Sequence, residues 1–368
     1  MDHAHPRPLV IGLTGRIGSG KSKVLQTLVS LGADGIDADQ VAHEVIEPEQ
    51  PAYEAVIAAF GSDLVGTDGR IDRRLLGQRA FADGSALRRL EAIIHPAVIA
   101  VVQAQVRASI APVVVIEAIK LLEAGMSRSL CDKVWVTWCS HRQLVRRLAA
   151  GRGMSIEDVR RRLAAQTPLT RMVAQADRVI DTRGTVAETA LRVVEGWAEL
   201  GMPFPRPQVR PGEVEDAGGI AAVLNGIVRE GGRTIIDHIY TPARERAFLR
   251  RLPGRARLVV AQVGAVIGGF QVLEPYASYT GTMDHVATLG SFVASPLRGQ
   301  GLGRAMSEMM LPLARDIGFT KLVVSVRADN PGARAFYSGL EFKACGLLTR
   351  QVVEDGGYVD LQLYERFL

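Results

Sequence analysis

The sequence predicts an α/β protein with two domains in series, and three features carry that reading. An apolar run, Leu9-Val10-Ile11-Gly12-Leu13, leads into Gly15-Arg16-Ile17-Gly18-Ser19-Gly20-Lys21-Ser22 and then a helical pattern at Val24, Leu25, Leu28 and Val29. A proline-rich stretch, Pro203-Phe204-Pro205-Arg206-Pro207, interrupts the chain near its middle. Beyond it lies a second glycine-rich strand-to-helix turn, Arg298-Gly299-Gln300-Gly301-Leu302-Gly303-Arg304. Alternating prolines cannot continue a helix, so residues 1–202 and 208–368 are expected to fold separately, with a linker over 203–207. A length of 368 residues suits two domains.

Composition narrows the function classes. Hydrophobic residues make up 47%, enough for two full cores, and the net charge is only +5. No basic arm points to nucleic acid, and a mild basic excess fits anionic small molecules equally well. The three cysteines, Cys131, Cys139 and Cys345, have neither metal nor redox spacing and suit a reducing compartment. Met1 to Pro8 lacks a signal-peptide core, and the apolar stretch Leu258 to Leu273 is too short and broken to cross a membrane. A cytoplasmic enzyme of small-molecule substrates is expected.

The first loop is a phosphate cradle by its chemistry. Glycines at 15, 18 and 20 let consecutive backbone N–H groups, Ser19's included, turn toward a polyphosphate. The helix after it aims its N-terminal dipole at the same anion. Lys21 is placed to reach the β- and γ-phosphates, and the Ser22 hydroxyl to hold Mg²⁺. A glycine turn without ligand is the plainer possibility, and the full spacing with Lys-Ser argues against it.

Next comes a short strand ending in Asp37-Ala38-Asp39. Ligands gather at the carboxyl ends of parallel strands, where two acids suit a cation or a proton from an attacking hydroxyl. Helix N-capping is the rival role for either acid. Helical patterns follow at 41–46, 52–60, 73–81 and 86–106, forming an insertion that contains His95-Pro96. From chemistry alone, His95 is an ordinary helix histidine. Val113 to Glu117 reads as a buried strand that brings Glu117 to the same edge, with Lys120 and Glu123 on a short helix behind it. Val134 to Trp138 is a further strand. Residues 141–162 are helical and carry Arg142, Arg146, Arg147, Arg152, Arg160, Arg161 and Arg162. Arginines on such a segment can close over transferring phosphates, although each taken singly suits a solvated face. Val179-Ile180-Asp181 is the last strand and Val186 to Leu200 the closing helix.

The ordered set of Ile11-Gly12-Leu13-Thr14-Gly15 through Ser22, Ile36-Asp37-Ala38-Asp39 with His43, Ile71-Asp72-Arg73-Arg74, His95-Pro96 and Ala176 to Asp181 resembles dephospho-CoA kinase over about residues 8–200. The resemblance implies a P-loop kinase domain of three α/β/α layers with a parallel sheet and a helical insertion. It implies ATP-dependent phosphorylation of the ribose 3′-hydroxyl of dephospho-CoA, the last step of coenzyme A synthesis. ATP and Mg²⁺ would engage Gly15, Gly18, Ser19, Gly20, Lys21, Ser22 and Lys23, with Arg147 and Arg152 from the lid. Asp39 would be the base on the hydroxyl, and Asp37, His95 and Glu117 would help hold dephospho-CoA. This chain departs from the family at Arg16, usually Gly, and at Lys23, usually Thr. Its Glu117-Ala118-Ile119-Lys120-Leu121-Leu122 replaces the common Asp-x-Pro-Leu-Leu.

After the prolines, helices are expected at 214–229 and 241–251, a hairpin about Gly264, and a central strand over 286–294 with a possible bulge at Gly290. The turn from Arg298 to Arg304 opens a helix running to Ile317. It offers successive N–H groups and flanking arginines to an anion, but lacks the Lys-Ser of a P-loop. A strand at 321–326 precedes Asn330-Pro331-Gly332-Ala333-Arg334-Ala335-Phe336-Tyr337.

Together the two segments resemble the GNAT family of N-acetyltransferases over about residues 208–365. That implies an α/β domain with a mixed sheet and an acetyl-CoA site. The pyrophosphate would lie on Arg298, Gly299, Gly301, Gly303 and Arg304. The pantetheine would lie along Phe292 and Val293, Asn330 would contact the cofactor, and Tyr337 would protonate the departing thiolate. Glu274, Asp284 and His285 are candidate bases. The expected protein is bifunctional, a kinase and an acetyltransferase of an unidentified amine. The rival reading makes the second domain an acetyl-CoA sensor without an acceptor that regulates the kinase.

Overall fold

The computed structural model describes residues 7–119, 121, 129–152, 154–354 and 356–368, without the side chains of Phe81 and Arg152. Lys120 and Glu123 fall outside the described residues. Contacts divide the chain into two units, Met1–Arg183 and Gly184–Leu368. The division precedes the proline run at 203–207.

In the first unit, β1 (Leu9–Gly15), β2 (Asp34–Asp37), β3 (Val113–Glu117), β4 (Lys133–Trp138) and β5 (Arg178–Asp181) form one sheet in the order β2-β3-β1-β4-β5. Every pairing is parallel. Full burial of β3 explains its unbroken Val-Val-Val-Ile sequence. The first helix, α1 (Lys21–Ser30), follows the glycine loop. Four helices, α2 (Ala38–Glu44), α3 (Tyr53–Phe60), α4 (Arg73–Ala82) and α5 (Gly84–Ala108), make the insertion between β2 and β3. There α5 packs on the other three around Val41, Val56, Phe60, Leu64, Leu76 and Val102. The arginine-rich segment is two helices, α6 (His141–Arg152) and α7 (Ile156–Ala164), because Ser155 caps the second by accepting from the Asp158 amide at 3.1 Å. A short α8 (Leu169–Val173) leads to β5.

The second unit begins with α9 (Val186–Glu199), read from sequence as the closing helix of the first domain. Within this unit it packs on α10 (Ala217–Glu230), and Glu188 pairs with Arg229 at 2.8 Å. The sheet is mixed, in the order β11-β12-β10-β9-β8-β7-β6. Its strands are β6 (Gln208–Pro211), β7 (Arg257–Val263), β8 (Val266–Pro275), β9 (Val286–Val293), β10 (Lys321–Arg327), β11 (Lys343–Glu354) and β12 (Gly357–Phe367). Three helices complete the unit: α11 (Pro242–Leu249), α12 (Leu302–Asp316) and α13 (Pro331–Gly339).

Strands β9 and β10 pair in parallel only over Val286–Thr288 with Lys321–Val323, and then part. Residues beyond the parting, Ser291 and Phe292 on β9 and Ser325 to Arg327 on β10, line a cavity of this unit. No bulge occurs at Gly290, which stays in register with Val272. Among the described strands the register shifts lie between Ala261 and Gln262, between Ala344 and Gly346, and between Leu348 and Val352. A Cβ at 290 would stand 3.1 Å from the Phe292 ring and 3.2 Å from Val272, a tight fit that one of them would have to relieve.

Candidate active sites

The glycine loop joins the carboxyl end of β1 to α1. Gly18 (φ 77°) and Gly20 (φ 94°) occupy left-handed conformations that disfavour other residues. A Cβ on Gly15 would strike Thr137 Oγ1 at 2.1 Å. Lys21 is buried, and its Nζ donates to the Gly15 carbonyl at 3.1 Å, holding the ammonium over the loop. Ser19 Oγ meets Thr137 Oγ1 at 2.6 Å, and the Thr182 hydroxyl donates to the Ser19 carbonyl at 2.7 Å.

The arginine-rich helices pack on this loop. Ile17 shares a core with Leu144, Leu148, Val159 and Leu163 of α6 and α7. Arg16 donates to the Leu163 carbonyl, and the Ile17 amide donates to Gln166 Oε1 at 3.1 Å. Arg147 donates to the Thr182 carbonyl at 2.6 Å, so it braces the residue that holds Ser19. Lys23 lies on the exposed face of α1 and donates to Gln26 at 3.1 Å. Of the lid arginines named for ATP, the Arg152 side chain lies outside the described residues.

Parallel pairing sets three acids along one edge. Asp37 on β2 and Glu117 on β3 are register partners, and Leu13 on β1 pairs with Glu117 from the other side. Asp37 caps α2 by accepting from the Gln40 amide at 3.0 Å. Asp39, in the first turn of α2, accepts from the Ile119 amide at 3.4 Å. Although Asp39 is open to solvent at the rim, partial dehydration of its carboxyl raises its pKa. Asp37 adds to the rise, while the Ile119 amide, Lys21 and His43 oppose it. Glu117 is buried, and loss of hydration raises its pKa too, with Asp37 and Asp39 adding and Lys21 and Ser22 opposing.

The Ser22 hydroxyl donates to Glu117 Oε1 at 3.4 Å. These are hard oxygen donors of the kind Mg²⁺ selects. Among the described residues no three His, Cys, Asp or Glu side chains gather as a metal site, so a cation here depends on phosphate and water for further ligands. His95 lies half-buried on α5, which packs on α2, the helix that carries Asp39.

In the second unit, a cavity of about 550 Å³ is lined by Phe292, Val293, Arg298, Gly299, Gly301, Gly303, Arg304, Asn330 and Tyr337, among others. Every residue that the sequence named for acetyl-CoA therefore meets in one place. Gly299 (φ 78°) and Gly301 (φ 81°) need glycine for their backbone angles, whereas Gly303 leaves room for Phe336, 2.8 Å from where a Cβ would stand. Arg298 donates to the Val293 carbonyl at 3.1 Å and to Glu230 at 2.6 Å, tying the loop to the end of β9. Asn330 caps α13 by accepting from the Ala333 amide at 3.1 Å. Tyr337 is buried, which raises its pKa and keeps the phenol protonated, and its hydroxyl donates to the Leu289 carbonyl at 3.3 Å.

A second cavity of about 460 Å³ shares Tyr337, Asn330, Ser291 and Phe292 with the first. Glu274 lines it, and so does Glu245, which sequence reasoning passed over because Pro-Ala-Arg-Glu-Arg reads as a solvated helix face. Asp284 and His285 line neither cavity. They precede β9, where their carbonyls accept from Arg255 and from Thr320.

Residues 9–188 match the dephospho-CoA kinase family, and residues 230–342 the acetyltransferase (GNAT) family. The dephospho-CoA kinase of Geobacter sulfurreducens is 45% identical over 193 residues, 52% of this chain and 98% of the relative. That of Geobacter metallireducens is 44% identical over 54% of this chain and its own whole length. A solved structure of YncA, a putative acetyltransferase from Salmonella typhimurium with its cofactor acetyl-CoA, is 19% identical, with a TM-score of 0.42. It covers 45% of this chain and 95% of that one. Through its first half the chain belongs to the dephospho-CoA kinase family, and it carries a GNAT-family domain behind it.

Proposed function

We propose that the chain makes coenzyme A with its first unit and transfers acetyl from acetyl-CoA to an amine with its second. In the first unit the loop amides and Lys21 hold the triphosphate of ATP, with Ser22 and Glu117 toward Mg²⁺. When bound, Mg²⁺ neutralises phosphate charge as it moves to the leaving group. Asp39 accepts the proton of the ribose 3′-hydroxyl as that oxygen bonds to the γ-phosphorus. The bond from phosphorus to the β–γ bridging oxygen breaks, and ADP departs. The observation that supports this assignment is the Asp39 carboxyl at the strand-end edge with Lys21, Ser22 and Glu117, its pKa raised toward proton acceptance.

In the second unit the loop from Arg298 to Arg304 holds the pyrophosphate, and the thioester lies near Tyr337, where the two cavities meet. The neutral acceptor nitrogen bonds to the acetyl carbon and the C–S bond breaks; Tyr337 gives its proton to the thiolate and is reprotonated by the proton that the nitrogen releases as the amide forms. A tyrosine common to both cavities supports transfer over a purely sensing role. The full chain with ATP and dephospho-CoA should release ADP, and with acetyl-CoA and amines should release free thiol. Tight acetyl-CoA binding with no thiol released by any amine, and a kinase rate that follows acetyl-CoA concentration, would replace transfer by sensing.

A further inference from the structure

Resting on the acetyl-transfer reading of the second unit, we infer that its second cavity selects a positively charged amine without an acidic group, held by Glu245 and Glu274. Glu245 is 3% exposed and lines that cavity from α11. Among the described residues its carboxyl has neither a hydrogen-bond nor an ion-pair partner. Glu274 lines the same cavity from the end of β8, likewise without such a partner. Burial alone raises the pKa of both. A buried carboxylate without a partner is costly, and a cationic ligand relieves that cost.

The cationic residues of the same wall are already neutralised. Arg327 pairs with Asp329 at 2.8 Å and Glu354 at 2.5 Å. Arg233 pairs with Glu230 at 3.0 Å. The uncompensated charge facing the acceptor is therefore negative, and Phe248, Phe270 and Tyr240 supply apolar walls for an alkyl chain. The cofactor side is opposite in sign, because Arg304 lines it and, among the described residues, donates to the Gly339 carbonyl and meets no carboxylate. One polarity suits a polyphosphate and the other an ammonium, with Tyr337 between them.

The test compares acceptors of similar length on the full chain: 1,4-diaminobutane, n-butylamine and 4-aminobutanoate. Thiol release from acetyl-CoA gives turnover, and calorimetry gives binding. The diamine is expected to have a kcat/KM at least about tenfold above that of 4-aminobutanoate, with n-butylamine between. Glu245→Gln and Glu274→Gln should each raise KM for the diamine at least about tenfold, narrow its advantage over n-butylamine, and leave acetyl-CoA binding unchanged. Retained acetyl-CoA binding shows that a variant is folded. If no amine is turned over but the diamine binds and the Gln variants lose that binding, the transfer reading fails while the charge assignment stands. Equal use of 4-aminobutanoate and diamine, diamine binding unmoved in both variants, or no diamine binding at all, overturns the inference.

Discussion

The Tyr337 hydroxyl donates to the Leu289 carbonyl at 3.3 Å, one residue beyond the last parallel pair of β9 and β10. The parting of the strands leaves that carbonyl free of β10, and the tyrosine takes it. The phenol is thus fixed at the mouth between two cavities before any ligand arrives.

Tyr337→Phe keeps the ring and its edge contacts with Phe336 and Phe342 but removes the proton. Acetyl transfer should slow by about a hundredfold, the usual worth of general acid catalysis, with acetyl-CoA binding unchanged by calorimetry. Loss of binding would reassign Tyr337 to cofactor packing.

Gly301→Glu should fail in the opposite way. No atom stands within 4 Å of a Cβ there, but the backbone is left-handed, and under the proposed function the loop receives pyrophosphate. Strain and like charge should weaken acetyl-CoA binding at least about tenfold, roughly 1.4 kcal/mol. Unchanged binding would remove this loop from the cofactor site.

Lys21→Ala should abolish ADP release with dephospho-CoA while the full chain still binds acetyl-CoA as before. Lys21 lies in the first contact unit and the acetyl-CoA cavity in the second. A kinase rate near that of the native chain would sink the phosphate role of Lys21.

Asp39→Asn should lower kcat far more than it weakens ATP binding. A proton acceptor acts on the hydroxyl during transfer, whereas the loop holds the nucleotide. Weakened ATP binding with kcat unchanged would move Asp39 to cation or structural duty.

Glu117→Gln should raise the unfolding temperature of the first unit at pH 7. The folded pKa of Glu117 lies above the unfolded value of about 4.3, so its contribution to stability is full below that pH and falls as pH rises through the folded value. The gain from the amide should therefore shrink toward pH 4. A thermal scan with an equal gain at both pH values would show that repacking, not charge, is responsible.

Glycine chemistry made much of the two sites legible. Gly18, Gly20, Gly299 and Gly301 have positive φ, and glycines in a row before a helix give a turn whose amides can face an anion. The residues named for acetyl-CoA lie within two short segments and at the end of one strand, and it was the resemblance to the GNAT family that gathered them. Other features depend on contacts distant in sequence. Glu245 stands among arginines on a short helix, and nothing local tells a cavity wall from a solvated face. Arg147 carries no local sign that it braces Thr182, thirty-five residues away. The β11–β12 hairpin passed unread because β11 is largely exposed and mixes polar with apolar residues without a clean alternation.

The allegiance of α9 changes where the protein can be cut. Leu191 packs against the core of the second unit, Glu188 holds Arg229, and the Trp197 indole donates to the Pro203 carbonyl at 3.1 Å. A protease or a gene truncation at residue 203 would strip the second unit of a helix it has built around. The prolines, fastened to α9 by Trp197, make a poor site for severance. A cut at 183–184 falls at the division between the contact units, and limited digestion followed by mass measurement should find a stable C-terminal fragment starting ahead of α9.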